Sequence, residues 1–214
     1  MAERYCTKQD LKKKARLWLK AALKYAPSYR KIAFRIQNSA LLVIDIQKFF
    51  TLPESPAYIP ATEPIISNII NLIGRFRKER RPVLFSYYAV GKNEAPTMRL
   101  FWSKVLSPSD PLAALDIRLP VLKEDIVIRK PSYSLFSKRA VKAVLKQTVT
   151  EQVVICGVMT DLCCDTAARE AFLNGYTPFV VADATASTTE DLHLSALKTA
   201  AHGYALIVLT ESLL

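Results

Sequence analysis

Six apolar runs separated by amphipathic segments constrain this chain more than any other feature. The runs at 40–46, 82–87, 125–129, 152–158, 177–182 and 205–210 are rich in Val, Ile and Leu and are apolar almost continuously rather than at alternate positions. Such runs predict strands buried on both faces, because a half-exposed strand would alternate apolar with polar residues. Helical patterns at 63–79, 138–148, 162–174 and 189–202 lie between most of them. That order predicts a three-layer, Rossmann-like α/β fold, with a mostly parallel, roughly six-stranded sheet between helices. The connection 89–124, rich in Pro and Ser, breaks the rhythm and is expected to form a loop or lid.

Half of the 214 residues are apolar, enough for one good core, which we expect over residues 39–214. None of the apolar runs is long enough to cross a bilayer. No cleavable signal pattern opens the chain, and four cysteines do not make a disulfide framework, so a reducing cytoplasmic setting with free thiols is expected. The net charge of +11 is concentrated: Met1 to Asn38 hold eleven Lys and Arg against Glu3 and Asp10. Within this N-terminal extension, residues 1–38, Leu11, Ala15, Trp18 and Ala22 recur at helical spacing with lysines around them, which predicts a basic amphipathic helix over 8–24. The segment lacks a dense Arg and aromatic pattern. We therefore expect the helix to dock on the domain or on a neighbouring subunit rather than to bind nucleic acid or an anionic membrane.

In a parallel α/β sheet, ligands bind beyond the carboxyl ends of the strands. Three residues with chemical potential converge there. Asp45 closes the first strand in "LLVIDIQ", where a charge is costly unless paired. Lys130 ends the third strand in "VIRKPSYS". Cys163 follows the fourth strand in "GVMTDLCCDTAARE". Helical phase separates the two adjacent cysteines. Residues three, four and seven after Cys164 are Ala167, Ala168 and Ala171, a small apolar stripe suited to packing on the sheet, so Cys164 is expected in the core. Cys163 falls at the edge of that stripe in the first helical turn, where free N–H groups and the helix dipole favour a thiolate.

"LLVIDIQ", "KPSYSLF" and "GVMTDLCCDTAAREAFLNGY" resemble the three motifs of the isochorismatase-like cysteine hydrolases, in order and from about Ser39 to the C terminus. The resemblance implies a catalytic triad of Asp45, Lys130 and Cys163. It also implies a cis peptide between Val158 and Met159, and an oxyanion hole built from the backbone N–H groups of Met159 and Cys163. The implied reaction cleaves the C–N bond of a small amide, carbamoyl or ureido substrate through a Cys163 thioester, with Asp45 as general acid and base and Lys130 as electrostatic support. Family members commonly self-associate, so a homo-oligomer is expected, with a small molecule as substrate and no cofactor.

Departures from the family pattern sharpen this reading. Nicotinamidases of the family add an Asp and two His residues as metal ligands after the first strand. Here no histidine precedes His193, so no metal site is expected, and His193 and His202 read as structural or solvated. The stretches "PFVVADATASTTEDLHLSALK" and "VLTESLL" resemble the isochorismatase branch, which carries Gly at the position matching Cys163. An alternative is therefore vinyl ether hydrolysis with Asp45 as the acid and no covalent intermediate, and another is a non-catalytic binding or scaffold protein. Phe49, Tyr87, Arg99, Trp102 and Phe136 lie near the active edge and are candidates for a substrate pocket.

Overall fold

The computed structural model describes residues 2–214. Among them, six strands form one parallel sheet in the order β3-β2-β1-β4-β5-β6. They are β1 (Ser39–Ile44), β2 (Val83–Tyr88), β3 (Ile126–Lys130), β4 (Gln152–Val158), β5 (Thr177–Ala186) and β6 (Leu206–Val208). β1 and β4 pair from Ser39↔Gln152 to Ile44↔Gly157 at the centre of the sheet. Both are buried at every position, which is why their sequences run apolar without alternation. Gly157 is required in this pairing: its φ is +117°, and a Cβ there would lie 2.0 Å from the Ile44 carbonyl oxygen. A side chain cannot be accommodated without parting the two central strands.

Helices α1 (Leu11–Leu23), α2 (Lys48–Thr51), α3 (Thr62–Lys78), α4 (Pro96–Phe101), α5 (Arg139–Gln147), α6 (Asp165–Leu173) and α7 (Glu190–Gly203) flank the sheet. Their ends follow local chemistry. Thr189 Oγ1 accepts a hydrogen bond from Leu192 N at the start of α7, with Glu190 and Asp191 in the first turn, where a carboxylate favours the helix dipole. At the other end of such a dipole, α3 finishes with Arg75, Arg77 and Lys78. The 89–124 connection is not pure loop, since it contains α4 and a short 3-10 turn at Pro111–Ala113. The short helix α2 interrupts a stretch in which too few residues were available to reveal a helical period.

The basic helix forms over Leu11–Leu23 and docks within its own chain. Leu11, Ala15, Trp18 and Ala22 are buried, and Trp18 packs edge-on against His193, their ring centroids 4.7 Å apart. Part of its positive charge is matched locally: Lys14 meets Glu190 at 2.8 Å and Arg16 meets Glu211 at 3.3 Å. The indole Nε1 of Trp18 donates to Glu190 at 2.7 Å. Among the described residues no helix is long and apolar enough to cross a membrane.

Candidate active site

Asp45 follows β1 directly and has a φ of 49°, in the left-handed region that Asp enters more readily than most residues. The turn is closed by Gln47 N donating to Asp45 O at 2.8 Å. The side chain is fully buried. Its Oδ1 accepts from Ser86 Oγ at 2.7 Å, and its Oδ2 faces Lys130 Nζ at 2.6 Å. The contact with Lys130 is an ion pair, and Oδ2 accepts no hydrogen bond among the described residues.

Lys130 is the last residue of β3, where Pro131 removes the next ladder donor. β2 lies between β1 and β3, so the lysine must reach past it to meet Asp45. It is fully buried, and its ammonium has three partners: Asp45, the Cys163 Sγ at 3.0 Å and the Ser132 carbonyl at 3.1 Å. Burial works against its charge, but Asp45 and Cys163 outweigh burial and the net effect on its pKa is upward.

Cys163 sits in an element that periodicity did not anticipate. After the Val158–Met159 peptide, which is cis, the chain makes a π-helical turn over Thr160–Cys164 before α6 begins at Asp165. Leu162 N and Cys164 N both donate to Met159 O at 3.1 Å. Cys163 therefore precedes the first α-helical turn instead of lying within it. The structure runs against the sequence expectation of a favoured thiolate: burial pushes the Cys163 thiol up to about 12, with Lys130 opposing the rise and Asp45 adding to it. Cys164 is fully buried together with Ala167, Ala168 and Ala171, as the apolar stripe predicted.

A cavity of about 380 Å³ opens over Cys163, a volume suited to a small ligand. Of the pocket candidates, Phe49 and Trp102 line it. Three others do not. Tyr87 has the wrong parity on β2, where successive side chains point to opposite faces. Arg99 projects into solvent and donates to the Gly91 carbonyl at 2.9 Å. Phe136 is buried against Tyr176. The lining residues missed in the sequence include Phe50, Tyr58, Tyr88, Met98 and Tyr133. A signal for Tyr88 was available in parity: it lies two residues from Ser86, which holds Asp45, and pairs in register with Lys130.

Neither histidine enters the site. His193 is fully buried, with Nδ1 2.8 Å from Thr160 Oγ1, and burial depresses its pKa to about 3. His202 is exposed on α7. Among the described residues no three His, Cys, Asp or Glu side chains gather as a ligand set, and the segment after β1 offers no imidazole, so the residues present do not fit the metal centre of the nicotinamidase pattern.

Comparison with known proteins agrees with this architecture. The model of the isochorismatase domain matches residues 39–212, leaving out the basic helix. "Nicotinamidase 3" of Arabidopsis thaliana is 33% identical over 177 residues, covering 79% of this chain and 84% of that protein. "Enterobactin synthase component B" of Escherichia coli (strain K12) is 32% identical over 184 residues, covering 85% of this chain but 64% of that longer protein. A cysteine hydrolase from Pseudomonas syringae pv. phaseolicola superposes with a TM-score of 0.79 at 22% identity, over 85% of this chain and 92% of its own. At that identity the likeness speaks to the fold.

Proposed function

This chain belongs to the isochorismatase domain family, and from that premise we propose that it is a hydrolase that cleaves the C–N bond of a small amide, carbamoyl or ureido substrate through a thioester on Cys163. The observation that carries the reading is the buried chain of contacts at the base of the cavity: Asp45 Oδ2 to Lys130 Nζ at 2.6 Å, and Lys130 Nζ to Cys163 Sγ at 3.0 Å. A thiol, a carboxylate and a cation in contact are the groups that covalent amide hydrolysis needs.

In the proposed reaction Cys163 Sγ bonds to the carbonyl carbon as its proton passes to Asp45. Lys130 offsets negative charge in the transition state, and the backbone N–H groups of Met159 and Cys163 receive the oxyanion. Collapse breaks the C–N bond, with Asp45 returning the proton to the departing nitrogen. Water then attacks the thioester, giving a proton to Asp45, and the C–S bond breaks as Asp45 passes that proton to the departing sulfur, releasing the acid and restoring the thiol.

The relative that bears the name nicotinamidase returns aromatic carboxamides to the substrates worth testing, although the histidine pattern had argued against them. Vinyl ether cleavage of isochorismate is the competing reading, prompted by the stretches "PFVVADATASTTEDLHLSALK" and "VLTESLL", which resemble the isochorismatase branch. Isochorismate carries two carboxylates, and Lys104 is the only Lys or Arg among the described lining residues, which favours uncharged substrates. The test compares turnover of a set of amides and ureides with that of isochorismate in wild type, Cys163→Ala and Asp45→Asn. We expect Cys163→Ala to lower amide hydrolysis by about 10³-fold or more, with an acyl adduct on Cys163 detectable by mass spectrometry. Near wild-type hydrolysis by Cys163→Ala, with loss only in Asp45→Asn, would instead establish the non-covalent route.

A further inference from the structure

The match to the isochorismatase domain begins at residue 39, yet the segment before it reaches the site. Ala2 and Thr188 line the cavity over Cys163, and Glu3 N donates to the Thr188 carbonyl at 2.8 Å. Glu3 Oε1 in turn accepts from Glu190 N at 2.6 Å, at the start of α7. The chain then turns inward. Tyr5 is buried, and its Oη accepts from Ser187 N at 3.0 Å.

That contact matters because of what Ser187 holds. The thiol stands in the π-helical turn over Thr160–Cys164, a form of helix that is rare, mostly a single turn long, and frequent at functional sites. Two side-chain ties fix the start of this turn. Ser187 Oγ donates to Asp161 Oδ1, and His193 Nδ1 lies 2.8 Å from Thr160 Oγ1. Both ties come from the junction where β5 runs into α7. Tyr5 touches both of them: besides accepting from Ser187, its ring stacks on the His193 ring, with centroids 5.9 Å apart and an interplanar angle of 29°. Trp18 meets the same imidazole edge-on. Ser187 is fully buried, so no solvent reaches it to replace the phenol oxygen, and a backbone N–H deprived of its acceptor would drive the junction to shift.

Resting on the thioester reading, we infer that Tyr5 is a positioning residue for Cys163: through Ser187 and His193 it holds the π-helical turn, and with it the thiol, in the place that attack requires. A misplacement of about 1 Å at a reacting group can cost about 10²-fold in rate, so a residue that never touches the substrate can govern kcat. The N-terminal extension is thereby part of the working site as well as a helix docked on the domain.

Three variants of the full chain test this. Tyr5→Phe keeps the ring stack and removes the acceptor. Ser187→Ala keeps its backbone contact with Tyr5 and removes the tie to Asp161. Arg16→Gln removes an exposed ion pair between the same extension and Glu211 and serves as the control. Hydrogen exchange read by mass spectrometry follows the amides of residues 159–165 without any substrate. We expect exchange there to rise about tenfold in Tyr5→Phe and in Ser187→Ala, with no change in β3 or α5 and none anywhere in the turn of Arg16→Gln. For an amide that the wild type turns over, kcat should fall about tenfold or more at a KM within about twofold of wild type, and Tyr5→Phe should add little in the Ser187→Ala background. Unchanged exchange at 159–165, a rise spread over the whole sheet, an equal rise in Arg16→Gln, or fully additive losses of kcat would each overturn the assignment. Absence of amide turnover in the wild type would count against the thioester reading alone, because the exchange measurement decides independently whether Tyr5 holds the turn.

Discussion

Replacing Lys130 by Met keeps much of the side-chain length and removes the charge, and its consequences can be worked from the contacts. Lys130 and Asp45 are both fully buried and meet at 2.6 Å. Without the ammonium, Asp45 Oδ2 keeps no partner and the carboxylate depends on Ser86 alone. Breaking a buried pair by removing one member typically costs about 3–5 kcal/mol, because the remaining charge is left uncompensated. For a chain of this size that corresponds to a fall of about 6–20 °C in melting temperature. The informative comparison is the double variant, Lys130→Met with Asp45→Asn. Removing both charges should recover about 2 kcal/mol or more of the loss, although both proteins lack the groups needed for turnover. Urea denaturation at constant slope measures each term. The pH dependence has a definite sign. The Lys130 pKa is raised in the folded state, so its contribution is complete below the ordinary lysine value of about 10.4 and drains away as pH rises beyond it. The Met variant should therefore show a shallower alkaline decline. The reasoning is refuted if Lys130→Met lies within about 1 kcal/mol of wild type, or if the double variant loses the sum of the two single losses.

Gly157→Ala tests the close approach of β1 and β4. Its Cβ would fall 2.0 Å from the Ile44 carbonyl oxygen at a φ of +117°, and we expect at least about 3 kcal/mol of destabilisation or failure to accumulate folded protein. A variant with the wild-type urea midpoint would show that the strands part easily. His193 predicts the acid limb of stability. Its folded pKa of about 3 lies below its ordinary value of about 6.5, so the unfolded chain binds the extra proton and stability falls as pH drops through that window, by of order 4 kcal/mol. His193→Gln should flatten this limb in denaturation curves recorded between pH 7 and pH 3, and an unchanged slope would remove the histidine from the account.

Much of the fold was legible because burial on both faces imposes continuous apolar runs, and β1 and β4 advertise themselves in that way. The positions of Asp45, Lys130 and Cys163 at one edge were also readable, since each lies at or just beyond the end of a strand whose direction the α/β order implies. What escaped was governed by local geometry with no periodic signature. The π-helical turn over Thr160–Cys164 lies in a segment that reads as the start of α6, so the environment of Cys163 was taken for that of a helix N terminus. A one-residue error in the end of β2 exchanged Tyr87 for Tyr88, and in a strand that error reverses the face. The net charge was attributed to the right segment, yet Glu190 and Glu211, the acids that answer part of it, lie near the opposite end of the chain and are invisible to a local reading.

The path of Lys130 past β2 has a consequence for the edge of the sheet. β3 is an edge strand, joined only to β2, yet its last residue is held by groups from the centre, Asp45 beyond β1 and Cys163 beyond β4. Local opening of β3 therefore separates the cation from the carboxylate and the thiol together. Fraying of that edge and loss of the assembled cluster are one event, so the protection of the β3 amides against hydrogen exchange reports on the integrity of the site.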